Sequence, residues 1–336
     1  MNTAFNKISC VFLLLMLQIG TQAQVQKVEA IGITVSDMNR SIAFYSSVLG
    51  FKKISDQEFF GDAYEKLEGL FGLRMRVVRM QLGDEYIDLT DYLTSGGRSI
   101  PENAMSNDLI FQHIAIVVSD MDKAYAVLRK KMIMQVSTGP QTIPASNTAA
   151  AGVKAFYFHD PDMHNLELIY FPKGKGQPKW QTIKGKLFMG IDHTAIAVTK
   201  TDSSLHLYQD LLGIARKGES WNMGMEQAHL NFVEGASLHI TGLRAVAGPG
   251  IEFLEYLHPG PGKPYPADSR SDDIWHWQTM LRVDDAAALY QQLASKGYRF
   301  LSKGLVDLPV KNGKTNKAFI VRDTDGHALL LVENRQ

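Results

Sequence analysis

Two histidines stand in matching surroundings in the middle of this chain. His113 lies near the start of the apolar run FQHIAIVVSD (111–120), and His193 near the start of GIDHTAIAV (190–198). In an extended strand, residues two apart share a face. His113 therefore falls on one side with Ala115 and Val117, and His193 falls with Ala195 and Ala197. Small residues beside an imidazole leave space in front of it, as a metal or a substrate would need. A single strand histidine is more often a hydrogen-bonded core residue. The chemical reading therefore depends on whether these surroundings recur, and they do.

Residues 41–51 (SIAFYSSVLGF) match 204–214 (SLHLYQDLLGI) without a gap. The spacing predicts an amphipathic helix ended by a glycine, Gly50 or Gly213, in the left-handed conformation. Each helix should follow a strand, 28–35 or 190–198, through a polar cap at Ser36-Asp37 or Thr201-Asp202. A second unit also occurs twice, as FQHIAIVVSDMDKAYAVLRKK (111–131) and HWQTMLRVDDAAALYQQLASK (276–296). These units end in matched turns and strands, HDPDMHNLELIYF (159–171) and RDTDGHALLLVEN (322–334). The chain thus reads a-b-a-b, with modules at 27–93, 111–171, 187–257 and 275–334, each predicted to be strand, helix and about three strands. The expected class is α+β, four βαβββ modules in two tandem domains, 24–172 and 187–336. The Gly-, Lys- and Pro-rich stretch 173–186 is the expected linker.

Residues 1–23 read as a secretory signal peptide. Lys7 supplies a positive start, Val11–Ile19 a short apolar core, and Thr21-Gln22-Ala23 a small-residue cleavage site. The apolar core is short of the roughly 20 residues that span a bilayer. The expected destination is the periplasm or the exterior, without membrane attachment once the signal is removed. The sole cysteine, Cys10, lies in that segment, so disulfides and cysteine-ligated metals are excluded from the mature chain. Lys+Arg and Asp+Glu balance at 35 each, with no long basic run, which argues against a nucleic-acid surface. A small molecule is the expected partner, and oligomeric state is open.

Four βαβββ modules carrying these signatures resemble the vicinal oxygen chelate superfamily, which includes glyoxalase I, methylmalonyl-CoA epimerase, extradiol dioxygenases and bleomycin-resistance proteins. The resemblance implies that one a-type and one b-type module curl into an open eight-stranded cleft. It also implies metal ligands on the first and last strands of each module. Carried onto this sequence, the first-strand positions are Ala30, His113, His193 and Gln278, and the last-strand positions are Asp88, Glu167, Glu252 and Leu330. If neighbouring modules pair, both sites are incomplete. If the second module pairs with the third across the linker, one site receives His113, Glu167, His193 and Glu252. The other then holds Ala30, Asp88, Gln278 and Leu330, a degenerate second site. Both pairings occur in the superfamily; the crossed one accounts for all eight residues and is preferred.

Two imidazoles and two carboxylates suit one divalent transition metal, Zn, Ni, Co, Mn or Fe(II). The same residues would also make two buried His–Glu pairs without a metal. The set resembles that of bacterial glyoxalase I and is close to that of methylmalonyl-CoA epimerase. That implies a lyase or isomerase moving a proton next to a carbonyl, through an enediolate whose charge the cation stabilises. A carboxylate would carry the proton, Glu167 by preference and Glu252 as the alternative. Ala115, Ala195 and Ala197 would line the substrate space, and Arg98 and Arg270, on paired polar loops, would contact an anionic substrate. One rival is an extradiol dioxygenase, although the positions that usually hold its triad are here His193, Gln278 and Leu330. The other rival is a non-catalytic small-molecule binding module. His164 and His327 are expected to stabilise turns, and His276 to lie on the strand face opposite Gln278.

Overall fold

In the computed structural model, residues 25–310 and 314–333 are described; the expected signal peptide, 1–23, lies outside them. Each module follows the alternation that its sequence carries. The first comprises β1 (Val25–Thr34), α1 (Met38–Ser47), β2 (Lys52–Phe60), α2 (Asp62–Glu68), β3 (Arg74–Leu82) and β4 (Glu85–Tyr92). The second comprises β5 (Gln112–Val118), α3 (Met121–Lys130), β6 (Gln141–Thr142), β7 (Lys154–His159) and β8 (Asn165–Tyr170). A short helix, α4 (Pro178–Thr182), lies in the stretch expected to be a linker, with Trp180 buried. The third module comprises β9 (Phe188–Val198), α5 (Thr201–Leu205) with a π-helical continuation His206–Leu211, β10 (Ala215–Asn222), α6 (Met225–Asn231), β11 (Ser237–Arg244) and β12 (Gly250–His258). The fourth comprises β13 (Trp277–Val283), α7 (Ala286–Ser295), β14 (Arg299–Phe300), β15 (Val306–Pro309), β16 (Thr315–Arg322) and β17 (Ala328–Glu333). Among the described residues, no helix is long and apolar enough to cross a membrane.

The helices α1, α3 and α7 start at aspartate caps, and one expected cap is not used. Asp37, Asp120 and Asp285 accept hydrogen bonds from the backbone N–H three residues on, starting α1, α3 and α7. Gly50 and Gly213 have φ of 76° and 71°, the left-handed conformation that closes a helix. The exception is the cap expected at Thr201-Asp202. There α5 begins at Thr201 after Lys200, which makes no side-chain cap bond. The Glu255 carboxylate on β12 accepts from the Thr201 N–H at 3.0 Å instead, a cap supplied by tertiary structure.

The strands form two sheets, and both draw on the two halves of the chain. The inner modules make an eight-stranded sheet in the order β10-β11-β12-β9-β5-β8-β7-β6. The outer modules make the other, β14-β16-β17-β13-β1-β4-β3-β2, with β15 added to β16. Each sheet is centred on an antiparallel pair of first strands, β5 with β9 and β1 with β13. The crossed pairing is therefore the one adopted. Within each half, the repeated motifs tie neighbouring modules by other means. The Tyr45 hydroxyl on α1 donates to Asp160 at 3.1 Å, and Tyr208 donates to Asp323 at 3.0 Å. Those aspartates fold the Asp-x-Asp turns, taking the backbone N–H and the Nδ1 of His164 or His327. The main core, including Ile114, Ile116, Ile191, Ile31 and Leu281, packs one face of each sheet against the helices.

Candidate metal centre

Strand register brings the inner residues together. Glu167 pairs across β8–β5 with Ala115, and His193 lies opposite Ala115 across β5–β9. Glu252 faces Ala195, and Ala195 faces His113. The four side chains thus rise from four adjacent strands on one face. His113 Nε2 lies 3.1 Å from Glu167 Oε2, and His193 Nε2 lies 3.5 Å from the same oxygen and 3.5 Å from Glu252 Oε1. The imidazole centroids are 5.8 Å apart.

His113, Glu167 and His193 form a tighter group, with ligand atoms all within 4.8 Å of one another; Glu252 stands outside it. Two ligand atoms each ~2.1 Å from one divalent ion are roughly 3.0–3.5 Å apart, and the two histidine–Glu167 separations fall in that range. A second test concerns hydrogen bonding. Among the described residues, neither ring nitrogen of His113 nor Nε2 of His193 has a hydrogen-bond partner, although His113 is fully buried. The close contacts to Glu167 therefore lack hydrogen-bond alignment, as expected for lone pairs aimed at a common point. Buried polar atoms are rarely left so, and the residues present fit a divalent cation.

The electrostatics separate the two carboxylates. Burial pushes the Glu167 carboxyl up, but the His113 and His193 imidazoles outweigh it and hold the pKa at about 2. Glu252 is raised, first by burial and then by Glu167, with His193 opposing. Burial opposes charge on His193, yet Glu252, Asp192 and Glu167 together raise it well above the usual imidazole value.

Asp192 was not foreseen. Strand alternation assigns it to the face opposite His193, but β9 has a register shift there, pairing Ala115 with His193 and Ile116 with Ile191. Such a bulge turns the extra residue, and Asp192 Oδ2 reaches His193 Nδ1 at 3.1 Å. Arg244 donates to the same carboxylate at 2.7 Å, Trp180 Nε1 at 2.6 Å and Gln177 at 3.0 Å. This is the outer partner that fixes a ligating imidazole. The Asp-His dipeptide was its only signal. His113 has no such partner among the described residues and packs against the Tyr157 ring, 5.0 Å between centroids.

The remaining expected site residues lie as follows. Ala115 is enclosed in a cluster with Val153, Trp180 and Met189, and Ala195 and Ala197 in one with Tyr157, Leu254 and Tyr256. Arg98 is engaged by Asp273 at 2.7 Å and by Asp268 at 3.0 Å, with its guanidinium over Trp275. Arg270 donates to Asp272 at 2.8 Å. Both arginines join the loop before β5 to the loop before β13. His276 precedes β13 rather than lying in it, and is buried with neither ring nitrogen hydrogen-bonded among the described residues.

The outer sheet repeats the register with other side chains. Asp88 faces Gly32, Leu330 faces Met280, and Gln278 and Ala30 occupy the histidine positions. Arg79 lies opposite Asp88, where the inner sheet has Gly242 opposite Glu252. Its guanidinium binds Asp88 through two bonds of 2.8 and 2.7 Å and reaches Glu29 at 3.3 Å.

The sequence profile of the Glyoxalase/Bleomycin resistance protein/Dioxygenase superfamily matches residues 27–168 and 190–331. Over 152 residues, 44% of this chain and 80% of the relative, the sequence is 30% identical to a 2-epi-5-epi-valiolone epimerase from Actinomyces sp. Glyoxalase I from Zea mays has a similar structure, with a TM-score of 0.59 at 15% identity over 93% of this chain and 92% of that one. A proposed dioxygenase from Bacillus subtilis gives 0.55 at 14% identity over 93% and 86%. At those identities the structural likeness speaks for the fold alone. The two matched stretches together span most of the sequence, and the chain belongs to the Glyoxalase/Bleomycin resistance protein/Dioxygenase superfamily as a tandem member.

Proposed function

We propose that the protein is an exported, metal-dependent lyase or isomerase that moves a proton at a carbon next to a carbonyl. The observation that carries this reading is the convergence of two imidazoles, whose Nε2 atoms lack a hydrogen-bond partner among the described residues, and one carboxylate, with a second carboxylate beside them. His113, Glu167 and His193 would hold the ion. A bound divalent cation would polarise the carbonyl oxygen and stabilise the negative charge that develops on it. Glu252 would carry the proton: it stands outside the tight group, and its side chain keeps 25% exposure where Glu167 keeps 6%. This reverses the preference drawn from the resemblance, because Glu167 is held by both histidines. Asp192 keeps the His193 ring oriented. The epimerase activity named for the Actinomyces relative supports proton transfer.

One feature favours a second reading, extradiol-type oxygen chemistry. Two histidines and one carboxylate are also the donor set of non-haem Fe(II) oxygenases, and this triad spans both halves of the chain. Two assays separate them. The metal-loaded protein, incubated in D2O with 2-epi-5-epi-valiolone or a methylglyoxal hemithioacetal, should introduce deuterium next to the carbonyl, followed by NMR. Oxygen uptake with catechols under Fe(II) and no deuterium incorporation would overturn the proposal. Neither activity, with retained ligand binding, would leave a binding module.

A further inference from the structure

The outer cleft encloses a cavity of about 340 Å³ on the face equivalent to the metal centre. Its centre is already occupied by a fixed cation, the Arg79 guanidinium on Asp88. No metal is needed there, and only one carboxylate of the ligand set remains. The cavity has apolar walls from Phe59, Leu67, Val77, Met280, Leu330 and Val332. Two polar groups at its ends have unmet capacity.

Arg282 is the first. It lines the cavity, makes no hydrogen bond among the described residues, and has its nearest carboxylate, Glu29, at 3.9 Å. Glu29 is shared with Lys27 at 3.1 Å and Arg79 at 3.3 Å, and together with Asp88 it makes two carboxylates against three cations. The second is Gln278 Oε1, which is buried and accepts no hydrogen bond among the described residues. Gly32 makes room for this side chain: a Cβ there would meet Gln278 Cγ at 2.7 Å. Gln278, Met280 and Arg282 share one face of β13, with ~13 Å between the outer two Cα atoms at the usual strand rise. An anion-binding end, an apolar middle and an acceptor end follow in a line.

We propose that the outer cleft is a second, metal-independent binding site, for a small monocarboxylate with an apolar body and a hydroxyl at the far end. The carboxylate pairs with Arg282, the body lies along Met280 and Leu330, and the hydroxyl donates to Gln278. Guanidinium–carboxylate recognition is charge-assisted and directional, and an apolar cavity with a few placed polar groups is the usual form of a small-molecule site.

The test uses 3-(4-hydroxyphenyl)propanoate as the probe, with its primary amide and 3-phenylpropanoate as comparisons, titrated calorimetrically into the full chain. The acid should bind at least ~10-fold more tightly than the amide, about 1.4 kcal/mol at 25 °C. The advantage should vanish in Arg282→Met. The preference for the hydroxylated acid should vanish in Gln278→Leu. Chelation of metal, or His113→Ala, should leave binding unchanged, which separates this site from the inner one. Equal binding of acid and amide by the unaltered protein overturns the proposal. So does loss of binding on chelation, or no binding of any probe at millimolar concentration. The acid–amide comparison needs no variant and therefore survives a failure of Arg282→Met to fold.

Discussion

Gly242 and Arg79 hold the same place in two sheets of one design. Opposite Gly242 in the inner sheet stands Glu252, whose carboxylate reaches His193. Opposite Arg79 in the outer sheet stands Asp88, whose carboxylate is taken by the guanidinium. The bulge that turns Asp192 toward His193 also recurs, for β1 shifts register between Val28 and Ala30 and Glu29 lies beside Arg79. Backbone and register are thus shared, and the charge arrangement is shared in part. What differs is the source of the positive charge, a candidate bound ion in one cleft and a covalently attached cation in the other. A cleft with two carboxylates needs a cation, and Arg79 provides it where the histidines are missing. The outer cleft is therefore better described as reassigned than as degenerate.

The largest effect should break the inner cleft alone. His113→Ala and His193→Ala should each lower Zn affinity by more than ~100-fold, beyond the range for losing an outer partner. The double variant should be no worse in metal content. Additive loss of two separate ions, read by elemental analysis, would contradict a single shared centre. Glu252→Gln should keep the metal yet slow deuterium incorporation by about 10²–10⁴-fold, the usual share of a positioned acid–base group. Glu167→Gln should lose metal as well as rate.

Next in size, Asp192→Asn should weaken metal binding about 10–100-fold through the His193 ring, while its counterpart Glu29→Gln leaves it unaltered. Equilibrium dialysis against Zn compares the two directly. In the outer cleft, Arg79→Met should leave metal content unchanged but destabilise the fold by about 1–3 kcal/mol, because Asp88 and Glu29 lose their shared cation. Urea denaturation measures that cost.

The smallest effect concerns what the halves have in common. Burial raises the Asp160 and Asp323 carboxyls, but His164 or His327 and the turn's N–H groups outweigh it and hold both below the ordinary 3.8. Depressed carboxylates stabilise the fold above their unfolded value, and the benefit is lost as pH falls through the folded value. Thermal midpoints should therefore drop below about pH 4. Asp160→Asn and Asp323→Asn should each flatten that drop by a similar amount.

Much of this was legible before any coordinates. The helix closures at Gly50 and Gly213, the Asp caps and the turn aspartates follow from local stereochemistry that a short stretch specifies by itself. The strand positions of His113, Glu167, His193 and Glu252 follow from counting, because side-chain direction in a strand has period two. Arg79 and Asp192 were not legible. The first acts across a strand pair whose register is set by the whole sheet, and the second reverses its face through one extra residue in β9.

The sequence alone determined that four modules exist, that the inner two carry histidines and carboxylates at ligand positions, and that the outer two keep only one carboxylate there, Asp88. It left open which modules share a sheet, because the first strand of one module offers equivalent backbone hydrogen bonds to the first strand of any other. Tertiary structure decided that: β5 on β9 and β1 on β13 place both imidazoles in one cleft. It also decided which carboxylate each cation meets, since such contacts join residues far apart in the chain and are fixed only when the strands are in register.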